Sequence, residues 1–366
     1  MTSFLFTILK WLLVGPALFC LIGTVFSFIK NESWWVRGFD FPRIQMLVLI
    51  FFSIGLLYFF NEIKGVKYIL WASLFVALCF HSWVIFPYSG LARKDVRDVV
   101  SLSSSKASVS VLVCNVLMDN RETSKLKAII DRENPDIVFL LETDNWWADQ
   151  MEYLKEEYPY FLLKPKDNTY GLLFYSKKQP TKLDFKYFVQ DDVPSVIATL
   201  KLDNDKEETF DFYGVHPRPP APKEAKTSVP RDAELVLVGK EVQKKDVPTI
   251  VAGDFNDVAW SHTSRLFRRL GNLLDPRVGR GMYSTFHADY ALLRWPLDHV
   301  FHSDEFQIIS IKKLEHMGSD HFPIFINLAY VPHEKHTQDE PQPEDDDHEE
   351  AEKKLEKAKV DSTTTL

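Results

Sequence analysis

The chain has 366 residues, a net charge of −8, 46% hydrophobic and 14% aromatic content, and three cysteines. Such a composition supports a large core rather than disorder, and three scattered cysteines rule out a disulfide framework. Residues 1–100 sum to +4, residues 101–330 to −5 and residues 331–366 to −7, so the large middle segment is not a basic nucleic-acid binder.

Residues 4–29, 44–60 and 66–86 are three apolar runs. A hydrocarbon core of about 30 Å takes about 20 helical residues. The first and third runs reach that length. The second is 17 residues long and spans only if residues 39–43 extend it or the bilayer thins. Trp34, Trp35, Trp83 and Tyr88 lie at run ends, where aromatic belts sit. Residues 1–90 therefore read as a membrane anchor of three transmembrane helices, with a polar turn at 61–65 joining the last two. A cleaved signal peptide is the plain alternative for the first run, which lacks a basic start and a small-residue cleavage site. Cys20 and Cys79 read as packing residues and His81 as interface packing. Three spans place the N-terminus and the large domain on opposite sides. Lys30, Arg37, Arg43, Arg93, Lys94 and Arg97 outnumber Lys64 and Lys67, which favours a cytoplasmic domain.

Residues 91–107 read as linker, with a small-polar stretch at 101–108. From 108 to 330 strand and helix patterns alternate. Strands are expected at 109–114, 136–142, 171–176, 195–202, 208–216, 249–254, 297–302 and 321–328. Helices fit 123–133, 232–245 and 261–270. The hairpins among them favour an α/β sandwich with outer helices over a purely parallel sheet. Residues 331–366 read as a disordered acidic tail, with Glu349–Lys353 and Glu350–Lys354 pairs able to support a short helix at 349–359. His333, His336 and His348 read as solvated.

Polar groups gather at the strand ends: Asn115, Glu142, His216, the run Gly253-Asp254-Phe255-Asn256, Asp298, and Ser319-Asp320-His321. Each alone has a bland reading as a solvated or capping group. Together, at the mouths of apolar strands, they point to a site. Carboxylates with an amide and no thiolate set suit Mg²⁺ or Mn²⁺, with Glu142, Asn115 and Asp320 as ligands. Arg231 and Arg218 are weaker candidates for a substrate phosphate, with a surface salt bridge as the alternative. Asp257 reads as a helix cap, His262 and His287 as structural, Cys114 as packing, and residues 283–286 as site lining or core.

The set N, E-T, H-P, G-D-F-N, L-D-H and S-D-H-F-P, in that order, resembles the endonuclease/exonuclease/phosphatase (DNase I-like) superfamily. The resemblance implies a four-layer α/β sandwich over 108–330. It also implies that Asp254 orients or deprotonates a water and that Asn256 binds a phosphate oxygen. His321, held by Asp298, would stabilise phosphoryl charge, and His216 would contact the phosphate. The three-span layout is similar to bacterial membrane members linked to vancomycin or teicoplanin resistance. That likeness implies a plasma (inner) membrane enzyme with an outward-facing domain and a lipid-linked phosphate or pyrophosphate substrate, against the loop charges. A membrane-tethered nuclease and an inactive binding module are the competing readings.

Overall fold

The computed structural model describes residues 2–58, 64–99, 107–204 and 206–364, and side-chain surroundings for 14–58, 65–99, 107–204 and 206–360. The polar turn at 61–65 and the small-polar stretch at 101–106 fall largely outside these limits.

The N-terminal helices are α1 (Thr2–Phe26), α2 (Trp34–Arg37), α3 (Arg43–Tyr58) and α4 (Lys64–Ile85). Ala17, Cys20, Met46, Ile50, Leu57, Leu74 and Ala77 form the shared core of α1, α3 and α4. Among the described residues one helix, Gly65–Tyr88, is long and apolar enough to cross a membrane. A second candidate, Trp34–Asp40 with Arg43–Tyr58, is bent by 68°. Residues 39–43 thus do not extend the second run into one straight helix. Pro42 starts the new helix, where its missing N–H costs nothing, and its carbonyl accepts from the Met46 N–H.

The strands are β1 (Ser108–Asn115), β2 (Ile137–Leu141), β3 (Tyr160–Lys164), β4 (Leu172–Ser176), β5 (Pro180–Lys186), β6 (Ser195–Lys201), β7 (Thr209–Val215), β8 (Thr249–Asp254), β9 (Asp298–His302), β10 (Phe306–Lys313) and β11 (Ile324–Tyr330). They form two mixed sheets, ordered β10-β11-β1-β2-β4-β3 and β5-β6-β7-β8-β9. Period-two alternation decides the layers. Val109, Val111 and Val113 of β1 face the other sheet's Phe212, Ile250 and Ala252. Leu112 and Cys114 face outward, onto Leu126, Ile129 and Ile130 of α5 (Ser124–Glu133) and Trp147 of α6 (Asn145–Gln150). The second sheet turns Tyr213, Val251 and Phe301 onto α7 (Val229–Lys245) and α8 (His262–Gly271). The result is helix, sheet, sheet, helix.

Two expected boundaries are corrected. Residues 91–99 are not free linker, because Val96 is buried in the inter-sheet core and Asp98 bridges to Ile308. The tail is not disordered: α9 (Asp347–Thr364) packs Ala351 and Leu355 on Val236, Leu266 and Leu270. Arg269 donates to both Asp347 oxygens (2.6 and 2.7 Å), and Lys354 reaches the buried Asp232 (2.8 Å). An apolar pair four residues apart and matched charges hold a helix that composition alone reads as solvated. The N-terminal helices also share a core with the α/β domain, where Val84, Ile85 and Tyr88 meet Val258, Ala259, Trp260 and Leu297.

Glu234 of α7 is buried and, among the described residues, takes a single hydrogen bond, from the Ser195 hydroxyl (2.8 Å). Burial pushes its carboxyl up to about 7. An acid raised on folding favours the folded state at low pH, and that contribution is lost as pH rises from the unfolded value through about 7. Glu234→Gln is therefore expected to stabilise the protein at pH 8 by roughly 3 kcal/mol, with the gain fading towards pH 4.5. Urea denaturation at both pH values checks this.

Candidate active site

Parallel pairing aligns the C-terminal ends of β1 with β2 and of β7 with β8. Antiparallel β9 and β11 begin at that same edge. This topology gathers Asn115, Glu142, His216, Asp254, Asp298 and His321 from six separate segments. Asp254 and Asp298 are register partners across β8 and β9. Gly253 is required between them and His216, since a Cβ there would lie 1.9 Å from the Val215 carbonyl oxygen. Glu142 and Asn256 sit at φ 57° and 50°, a left-handed backbone that non-glycine residues seldom adopt and that clusters at functional sites.

Asn115 Nδ2 donates to Glu142 Oε1 (2.8 Å) and Asp254 Oδ2 (3.1 Å), while its Oδ1 accepts from the Leu117 N–H (3.1 Å). The amide therefore turns its donor, not its oxygen, towards the two carboxylates. Holding an ion through Asn115 takes a rotation of that amide. Asp254 Oδ1 accepts from the Asn256 N–H (2.9 Å), and Asn256 Nδ2 donates to the Pro217 carbonyl (3.0 Å).

His321 Nδ1 lies 2.8 Å from Asp298 Oδ2, and Nε2 lies 3.6 Å from Asp254 Oδ2. Asp298 is placed by Thr285, whose Oγ1 accepts from the Asp298 N–H (3.2 Å). The Ser319 hydroxyl donates to the Asn115 carbonyl (2.7 Å) and accepts from the His321 N–H (3.0 Å), tying β1 to the last loop. The Phe286 ring lies 4.9 Å from the imidazole. His216 Nε2 is 3.9 Å from Asp254 Oδ2, beyond a hydrogen bond, and its Nδ1 has no partner among the described residues.

Burial opposes charge on every group here, and the neighbours decide the outcome. For His321 burial lowers the pKa, but the Asp298 and Asp254 carboxylates override it and hold the imidazolium up to about 10. For His216 burial wins, and the ring is pushed down to the neutral form. Burial raises Asp254, with His321 pulling against it. Burial also pushes Glu142 up to about 7, against the Asn115 hydrogen bond.

The donor set fits a hard divalent cation. Four carboxylates (Glu142, Asp254, Asp298 and Asp320) converge on one imidazolium. Among the described residues none of them pairs with a Lys or Arg. A further positive charge relieves that excess. Ligand atoms of Asp254, Asp298 and His321 lie within 4.8 Å of one another. An imidazole held protonated is no ligand, however, so this trio is an ion-paired cluster, and Glu142 with Asp320 offers the better oxygen set. Asp320 is near enough to act on Glu142 and His321 electrostatically.

Two expectations fail here. Arg231 does not face a substrate: it is 1% exposed, binds Asp232 and Asp257, and donates to the Asn256 carbonyl (2.9 Å). It braces the G-D-F-N turn from beneath. Asp257 is not the cap of α8. Ser261 is, accepting from the Ser264 N–H, while the buried Asp257 accepts from the Ser261 and Ser264 hydroxyls. Arg218 remains at the rim, paired with Asp192 (2.5 Å) and stacked 4.8 Å over Tyr170. Tyr170, 5.5 Å from the His216 ring, goes unnoticed in the sequence, where its only signal is the turn-forming Asn-Thr-Tyr-Gly run.

The Endonuclease/Exonuclease/phosphatase family matches residues 112–321. Among solved structures the chain is similar to the human Nocturnin catalytic domain with bound sulfate anion. That match has 17% identity, 64% of this chain and 98% of that chain covered, and a TM-score of 0.50. An endonuclease/exonuclease/phosphatase family protein from Bacteroides thetaiotaomicron aligns at 17% identity, covering 62% and 98%, with a TM-score of 0.49. D. rerio TDP2 complexed with single-strand DNA product aligns at 16% identity, covering 60% and 98%, with a TM-score of 0.48. No curated protein matches the chain.

Proposed function

Because the chain belongs to the endonuclease/exonuclease/phosphatase family, we propose that it is a membrane-anchored, divalent-metal-dependent hydrolase of phosphoester or pyrophosphate bonds, with lipid-linked phosphates as its preferred substrates. The observation that carries the chemistry is the convergence of four carboxylates and a clamped imidazolium at one sheet edge.

Each residue then has a task. Glu142 and Asp320, with Asn115 beside them, hold Mg²⁺ or Mn²⁺, which when bound neutralises phosphoryl charge. Asp254 takes a proton from the attacking water and keeps it in line, oriented by the Asn256 N–H. His321, charged and fixed by Asp298, donates from Nε2 to a phosphoryl oxygen as negative charge builds. The neutral His216 and the Asn256 amide supply further hydrogen bonds to the phosphate.

Support for anchoring comes from apolar exposure. Val25, Phe51, Phe52, Ile69, Phe75, Val76 and Trp83 point outward from α1, α3 and α4, and soluble monomers rarely present so large a patch. A tethered enzyme meets membrane-borne substrate at raised effective concentration. We place it in a plasma (inner) membrane.

The test is a side-by-side assay of the full-length protein in detergent, with Mg²⁺ or Mn²⁺, on phosphomonoesters, phosphodiesters, lipid pyrophosphates and plasmid DNA. Chelator-sensitive turnover, fastest on lipid pyrophosphate, is expected. Fastest turnover of plasmid would establish the nuclease reading, and no hydrolysis of any substrate would establish a binding module.

A further inference from the structure

Residues 286–295 form a compact prong between the site and the anchor. The Phe286 and Trp295 backbones pair, the His287 N–H donates to the Leu293 carbonyl (3.1 Å), and Arg294 donates to the Ala288 carbonyl (2.8 Å). This base is built into the catalytic edge. The Ala288 N–H donates to the Asp320 carbonyl (2.6 Å), and the Phe286 ring packs on His321. The tip is different: Tyr290, Leu292 and Leu293 are 58%, 84% and 47% exposed. Moving these apolar side chains out of water would be favourable.

The prong also touches the anchor. Gln45 of α3 donates to the Leu292 carbonyl (2.7 Å), and Phe41 packs edge-on against Trp295. Val48, Leu49 and Phe52 follow Gln45 by three, four and seven residues, so they share its helix face. All three are exposed. The bare leucines of the prong thus continue the outward apolar surface of α3.

We propose that the prong seats in the bilayer surface, with Leu292 and Leu293 in the acyl region, and holds the catalytic edge at headgroup level. The substrate class it selects is an amphiphilic phosphoester or pyrophosphate whose hydrocarbon stays in the membrane while its phosphate reaches His321. This deepens, and rests on, the reading of α1, α3 and α4 as a membrane anchor. Tyr290, with an apolar ring and a polar tip, suits the boundary.

The test uses full-length protein in vesicles of phosphatidylethanolamine and phosphatidylglycerol, first scored by flotation. In a Cys79→Ser background, where Cys20 and Cys114 are buried, Leu292→Cys is labelled with an environment-sensitive fluorophore. Lys182→Cys on β5 serves as the water-facing control. Blue-shifted emission shielded from iodide at 292, but not at 182, is expected. Leu292→Glu with Leu293→Glu is expected to lower turnover of a vesicle-borne long-chain phosphoester at least tenfold, leaving a water-soluble aryl phosphoester unaffected. An iodide-accessible label in protein that floats overturns the prong while leaving the anchor standing. Equal loss on both substrates overturns it as well. Failure to float overturns the anchor reading and the prong with it.

Discussion

Asp254→Ala is expected to lower turnover by about a thousandfold or more while the protein stays folded. Asp254 is 1% exposed and faces Asp298 in register across β8 and β9. Its charge is therefore costly: burial and the Asp298 carboxylate raise its pKa, while His321, His216 and the Asn256 N–H pull the other way. Removing it leaves the Asn256 N–H without an acceptor and Asn115 Nδ2 with Glu142 alone, a loss of about 1–3 kcal/mol. Relief of a buried like-charge contact offsets much of that loss. Melting temperature and kcat, measured on the same preparation, should therefore part company. A functional site that stores unfavourable charge gives this pattern, whereas a structural carboxylate gives the reverse.

His321→Ala is expected to cost about a hundredfold or more in kcat, and here stability falls as well. The imidazolium is the sole ion-pair partner of Asp298 among the described residues. Its loss strands two buried carboxylates. Asp298→Asn separates the two roles, because the ring stays while the carboxylate that most raises its pKa is gone. The basic limb of the pH–rate profile should then move down towards the ordinary histidine range. The sign for stability follows from the same pair. A histidine raised from 6.5 to about 10 contributes fully below pH 6.5, and that contribution is lost as pH rises through about 10. Wild type should therefore lose stability across that window, and Asp298→Asn should lose less.

Much of the α/β domain is legible in sequence because its strands are buried on both faces. The strands at 137–141, 172–176 and 249–254 read as continuous apolar runs, and the first and last of them lead into a carboxylate that parallel pairing carries to one edge. The edge strand β5 is not legible, since its alternation leaves Thr181, Lys182 and Asp184 exposed and reads as loop. The docking of the tail helix, whose charge pairs the sequence does show, is missed for a related reason. Its core contribution is little more than Ala351 and Leu355, and its partners Arg269 and Asp232 lie far away in sequence. Arg231 misleads because residue type and proximity to G-D-F-N suit a phosphate, while burial and three local acceptors decide otherwise. The bend at Pro42 is written in the sequence as a proline, but an apolar count passes over it.

The most direct test of a metal-dependent phosphoester hydrolase is turnover as a function of Mg²⁺ concentration at pH 8, for wild type and Glu142→Gln. At that pH Glu142, raised to about 7, is ionised. Saturable activation that chelator abolishes is expected in wild type. In Glu142→Gln the activation midpoint should move to at least about tenfold higher Mg²⁺. Full turnover in chelator, or the same midpoint in both proteins, would contradict the assignment.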